Sequence, residues 1–146
     1  MIGGRRLPLA AAVLALCVGC SSSGGEIVCG PCQWPVMVTV SGLDRLTVEG
    51  VRMQICVEGQ PCVDFRVTRR TGTEYFSCGS VACSLLDTGA FQVMLPQREA
   101  RAVADRPVRV TASTRQGQRE GTATMPFVSD KGPCGCDYSH AAVALV

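Results

Sequence analysis

Asparagine is missing from all 146 residues, and lysine and histidine occur once each. Without asparagine, tight turns fall to glycine, aspartate and proline. The single histidine, His140, excludes a metal site built on a histidine pair. Any Ser-His-Asp or Cys-His arrangement would have to use it, and no glycine-flanked serine elbow accompanies it. Aromatic residues make up only 5% of the chain, so a core built from it is aliphatic and needs help from other sources. No basic stripe interleaved with aromatics is present, which argues against nucleic acid as a partner. The longest apolar run, Leu7 to Val18, is shorter than the roughly 20 residues that cross a bilayer as a helix.

That run follows the short basic start Met1 to Arg6 and ends in Leu16-Cys17-Val18-Gly19-Cys20. The arrangement resembles a bacterial lipobox, with Cys17 where the family usually carries leucine. The resemblance covers about the first 25 residues. It implies a helical signal peptide over residues 1–19, cleavage between Gly19 and Cys20, and lipid on Cys20. Ser21 to Gly25 reads as a flexible tether. Arg5-Arg6 also hints at twin-arginine export, but Pro8 breaks the hydrophobic pair expected there, so the pair reads as a plain basic start. The implied partner is a membrane, held through the lipid on Cys20. The implied location is extracytoplasmic and lipid-anchored, at an outer membrane where the cell has one. Cleavage would leave 127 residues with 12 basic and 12 acidic side chains, one domain with one core.

Beyond Cys17 and Cys20 there are eight cysteines: Cys29, Cys32, Cys56, Cys62, Cys78, Cys83, Cys134 and Cys136. An even count in an exported domain reads as a disulfide framework. Strand parity narrows the pairings. Val51, Met53, Ile55 and Val57 alternate with Arg52 and Gln54, and Cys56 falls on their polar side. Val63, Phe65 and Val67 alternate with Asp64 and Arg66, and Cys62 falls on the polar side as well. The turn between them makes a hairpin, which predicts a Cys56–Cys62 bridge. By the same locality, Cys78 and Cys83 close a second small loop. A Cys134–Cys136 bridge would be a cramped ring, so the two chain ends are expected to be stapled to each other. The connectivity among Cys29, Cys32, Cys134 and Cys136 stays open.

The same period-two alternation recurs at Val36, Val38 and Val40, at Phe91, Val93 and Leu95, at Val108, Val110 and Ala112, and at Val143 and Leu145. It marks half-buried strands. Only Gln97 to Ala104 suits a short helix, stopped by Asp105-Arg106-Pro107. The expected fold class is therefore all-β, a single antiparallel β-sandwich of seven to eight strands stapled by disulfides. The expected division is 1–19 signal peptide, 20–28 tether and 29–146 sandwich. The pattern from Val36 onward resembles the immunoglobulin-like and prealbumin-like sandwich modules of small exported bacterial lipoproteins. That resemblance is architectural and implies no activity. Trp34 and Tyr75 do not stand at the offsets an immunoglobulin domain requires.

Candidates for chemistry are few. Cys29-Gly30-Pro31-Cys32 resembles the redox motif of thioredoxins, which implies a thiol–disulfide oxidoreductase. In that family a helix begins within the motif and lowers the thiol pKa, whereas Pro35 and the β-branched run after it here specify a strand. The four terminal cysteines also have tolerable zinc spacing, but an exported compartment favours their oxidation. Asp87-Thr88-Gly89 and Ser129 to Gly132 carry loop acids too few and too separate for calcium. No cofactor and no metal are expected. The resulting expectation is a non-enzymatic binding or structural module of the cell envelope, with the oxidoreductase as alternative. Its ligand would be a protein, peptide or glycan held by the inter-strand loops Glu58 to Pro61, Thr68 to Glu74 and Gln97 to Arg106. Arg98, Arg101 and Arg106 would favour an acidic partner, with Glu99 and Asp105 offsetting them.

Overall fold

Valine dominates the strands, and its β-branched side chain suits a pleated, half-buried surface. In the computed structural model, which describes residues 27–32, 35–43, 48–96 and 98–146, these valines line the inside of two packed sheets. The first sheet contains β1 (Val36–Ser41), β6 (Ala82–Leu85), β7 (Phe91–Met94), β10 (Phe127–Val128) and β11 (Tyr138–Ala144), in the order β10-β11-β1-β7-β6. The second contains β2 (Arg52–Val57), β3 (Val63–Arg66), β8 (Pro107–Thr114) and β9 (Gly117–Thr124), in the order β3-β2-β8-β9. A hairpin of β4 (Thr68–Arg69) and β5 (Phe76–Ser77) forms a third, two-stranded sheet.

The alternation read from the sequence matches the inner faces. Val36, Val38 and Val40 meet Met53, Ile55, Val108 and Val110 in one core, all at most 1% exposed. Phe76 sits edge-on to Phe91 with ring centroids 6.1 Å apart, one of few aromatic contacts in a chain with so few rings. Ser139 is the one buried polar residue among those described, and its Oγ donates to the Ala100 carbonyl at 2.9 Å. Ser139→Ala would leave that carbonyl without its donor, so the variant should lose about 1–2 kcal/mol of stability in chemical denaturation.

The all-β sandwich stands, but the expected fold class is corrected in three respects. The described residues form eleven strands where seven to eight were expected, and the two main sheets hold five and four of them. The fold is not wholly antiparallel, because β1 and β11 pair in parallel from Val36↔Ser139 to Ser41↔Ala144. Among the described residues the one helical element is a three-residue 3-10 turn, Arg101–Val103, inside the stretch expected to be a short helix. The helical signal peptide expected over residues 1–19, and residues 20–26 of the tether, lie outside the described residues.

Two backbone devices shape the second sheet. Gly50 donates to Val67 O at 2.7 Å while Val67 donates to Val51 O at 2.9 Å, so two residues of one strand face one of the other. This is a bulge with its first residue at φ +82°, a conformation natural to glycine. At the opposite edge, Glu120 of β9 exchanges backbone hydrogen bonds with Val146, at 3.2 and 3.4 Å. The end of the chain thereby ties the edge of one sheet to the other.

Candidate functional site

Parallel strands run in the same direction, so extending β1 and β11 backwards keeps the two chain segments side by side. Cys29 and Cys32 precede β1, and Cys134 and Cys136 precede β11, in matching order. The structure accordingly bonds Cys29 to Cys134 and Cys32 to Cys136. It also bonds Cys56 to Cys62 and Cys78 to Cys83. Cys29 and Cys32 thus have different partners, each more than 100 residues away. They do not form the dithiol pair that thioredoxin-type chemistry requires. No cluster of metal-ligating side chains occurs among the described residues.

These findings correct the expected membrane attachment. Every described cysteine is in a disulfide, and no helix among the described residues is long and apolar enough to cross a membrane. Gly19 and Cys20 lie outside the described residues. The membrane partner and the lipid-anchored, extracytoplasmic location are set aside on that basis, and the function argued below rests on the stapled sandwich alone.

His140 faces outward from β11, half-buried, with its Nε2 2.7 Å from the Thr39 hydroxyl. That pairing involves neither a carboxylate nor a cysteine, so it holds no part of a nucleophilic triad. Asp137 accepts from Ser129 Oγ at 3.0 Å and from Arg101 at 3.4 Å, and Asp130 accepts from the Gly132 amide at 3.0 Å. These acids serve turns and loop contacts. Trp34 lies outside the described residues.

Two of the three candidate loops come together, and their arginines bond to groups of the protein itself at its surface. Arg98 donates to Pro61 O at 3.0 Å, and Arg106 to Glu58 O at 3.3 Å. Arg101 pairs with Asp137 at 3.4 Å and lies 5.2 Å over the Phe127 ring. The expectation that Arg98, Arg101 and Arg106 attract an acidic partner is therefore corrected, since all three are engaged in tying loops to each other. Gln97 lies outside the described residues.

The third loop, beginning at Thr68, lies at the other end of the sandwich and borders a groove of about 690 Å³. Arg66 and Arg69 line it, together with Glu49 and Gly50 and with Thr114, Arg115 and Gln116 of the β8–β9 turn. The turn is held by Thr114, whose Oγ accepts from the Gln116 amide at 3.1 Å and donates to Gly117 O at 2.9 Å. Arg69 pairs with Glu49 at 3.3 Å and lies 5.4 Å over the Phe76 ring. Both partners of that pair are about half exposed, with side-chain exposures of 45% and 55%. Such a pair contributes at most about 1 kcal/mol. Among the described residues, Arg66 and Arg115 take part in no ion pair.

The sheet next to this groove carries a pairing that costs stability. Arg52 and Arg66 stand directly opposite each other on β2 and β3. The ladder bonds at Val67 make theirs a non-hydrogen-bonded pair, in which side chains come closest. Like charges so placed are destabilising. Ser113 and Gln118 complete the row and supply no counter-charge. In the next row Gln54 donates to Asp64 at 2.9 Å, and Thr111 and Glu120 continue it.

Sequence reading flagged Arg52 and Arg66 only as the polar side of a hairpin. The expected Cys56–Cys62 bridge held the missing signal, because counting four residues outward from each cysteine reaches Arg52 and Arg66. Comparison with protein-family models, with curated proteins and with solved structures finds no match to this chain.

Proposed function

We propose that this protein is a non-enzymatic binding module, a disulfide-stapled β-sandwich whose binding surface is the arginine-lined groove between Arg66 and Arg115. The observation that carries the non-enzymatic part is the separate pairing of Cys29 and Cys32. Two neighbouring staples also protect each other. When a reductant thiolate opens one bond as a mixed disulfide, the other staple holds the released cysteine thiolate close, and its attack on the mixed disulfide re-forms the bond and expels the reductant thiolate. The groove supports the binding part, since it brings Arg66 and Arg115, which have no ion-pair partner among the described residues, to a solvent-open surface on a disulfide-stapled scaffold.

Mild reductant in native buffer, followed by alkylation and mass measurement, tests the reading. The module should gain no label at Cys29 or Cys32 under conditions that reduce a catalytic dithiol. Two labels confined to those residues would return the oxidoreductase to first place.

A further inference from the structure

Resting on the groove as the binding surface, we infer that it takes an extended acidic peptide segment of a partner protein, with the side-chain carboxylates on Arg66, Arg69 and Arg115. Three features of the molecule lead to this ligand class.

The first is the charge left unanswered. Arg66 and Arg115 both line the groove, and neither has an ion-pair partner among the described residues. Beside them, Arg52 opposes Arg66 on the sheet. An arrangement that repels itself in the free protein becomes favourable once carboxylates sit between its members. Arginine also presents a planar fork that matches a carboxylate in two hydrogen bonds.

The second is Arg69. Its carboxylate partner Glu49 is half exposed and also lines the groove. A peptide carboxylate can replace Glu49 on the guanidinium at little cost, because the existing pair is already wet and screened. The Phe76 ring beneath keeps the guanidinium in place during the exchange.

The third is the limited length of the positive region. On the far side of Arg69, a second cleft of about 700 Å³ is lined by Glu74 and Asp87. Up the sheet face, the row beyond Arg52 and Arg66 contains Asp64 and Glu120. A long polyanion such as a nucleic acid or a sulfated polysaccharide would run into these carboxylates in either direction. A short segment with two or three acidic side chains fits within them. In an extended peptide, side chains on one face recur about every 6.6 Å, a spacing within the reach of arginines on neighbouring strands and turns.

The test uses the oxidised protein and a fluorescein-labelled six-residue peptide alternating aspartate and threonine, read by fluorescence anisotropy. A peptide with asparagine for aspartate, a sulfated hexasaccharide and a single-stranded 12-nucleotide DNA are run beside it. The acidic peptide should bind at 50 mM salt, and raising salt to 300 mM should weaken it about fivefold or more. Arg66→Ser together with Arg115→Ser should weaken it at least about tenfold, through loss of two charge-assisted contacts. Arg109→Ser, on the same sheet face but two rows away, should leave affinity within about twofold. Arg66→Thr should melt no lower than the parent protein, because Arg66 has no ion-pair partner among the described residues to lose; a markedly lower melting temperature would mark Arg66 as structural and overturn the inference. Equal binding of the asparagine peptide, or indifference to the double substitution, would also overturn it. If the hexasaccharide or the DNA binds in the groove and the peptide does not, the ligand class is wrong while the binding module stands. If no probe responds to the double substitution, the groove fails as the binding surface as well.

Discussion

Removing both terminal staples, by replacing Cys29, Cys32, Cys134 and Cys136 with serine, is expected to lower the unfolding free energy by about 7 kcal/mol. The figure follows from chain entropy. The first staple closes a loop of just over 100 residues, with a sequence separation of 105 for Cys29–Cys134. Such a loop contributes about 4.7 kcal/mol. With that bond in place, the second staple closes only the small ring between the two, worth roughly 2.4 kcal/mol for about seven residues. Removing one staple alone therefore costs only the smaller amount, whichever one goes. The two losses are strongly coupled, since their joint effect exceeds the sum of the single effects by roughly 2 kcal/mol. A small domain has about 5–15 kcal/mol in total, so the quadruple variant should be largely unfolded at elevated temperature. Urea denaturation of the single, paired and quadruple variants measures this. Equal costs that add would show that the two staples do not share one loop.

Gly121→Ala is expected to be strongly destabilising. Gly121 lies on β9, buried, where that edge strand meets the end of β11. A methyl group there would overlap the Ala144 carbonyl and come within 2.7 Å of Val143 Cγ1. The carbonyl is backbone and cannot rotate away, so one strand has to move. The expected loss is about 3 kcal/mol, at the top of the range for overpacked sites. Gly72→Ala makes the comparison. Gly72 has φ +74° but nothing within 4 Å of the added carbon, so only the backbone penalty of about 1–2 kcal/mol applies. Thermal melts of the two variants separate a steric cost from a conformational one. Similar melting temperatures would mean that β9 and β11 approach less closely than described.

The inner faces of the sandwich were legible because alternating valines encode them directly. Val36, Val38, Val40, Met53, Ile55, Val108 and Val110 all lie on the side that periodicity assigned to them. Periodicity names a face and says nothing about a neighbour, which is why the parallel pairing of β1 with β11 was not foreseen. β9 was invisible for a different reason. Its sequence, Gly117 to Thr124, places Gly121 and Ala123 on the inner side. Close approach of another strand demands small residues there, and small residues leave no apolar stripe to read. β4, β5 and β10 have two residues each, too few for any period to show. The candidate site divides along similar lines. The loops Glu58 to Pro61 and 98–106 looked available because they are polar, yet their arginines bind loop carbonyls and an aspartate across long sequence separations. The groove needs residues from three distant segments, which only the folded register brings together.

The most direct test of the account is disulfide mapping of the oxidised protein by proteolysis without reduction. Peptides containing Cys29 and Cys32 should emerge covalently linked to the peptide containing Cys134 and Cys136, and separate only after reduction. If each emerges alone, carrying its own internal bridge, then Cys29 and Cys32 form a dithiol pair after all. That result would contradict both the stapled ends and the non-enzymatic reading built on them.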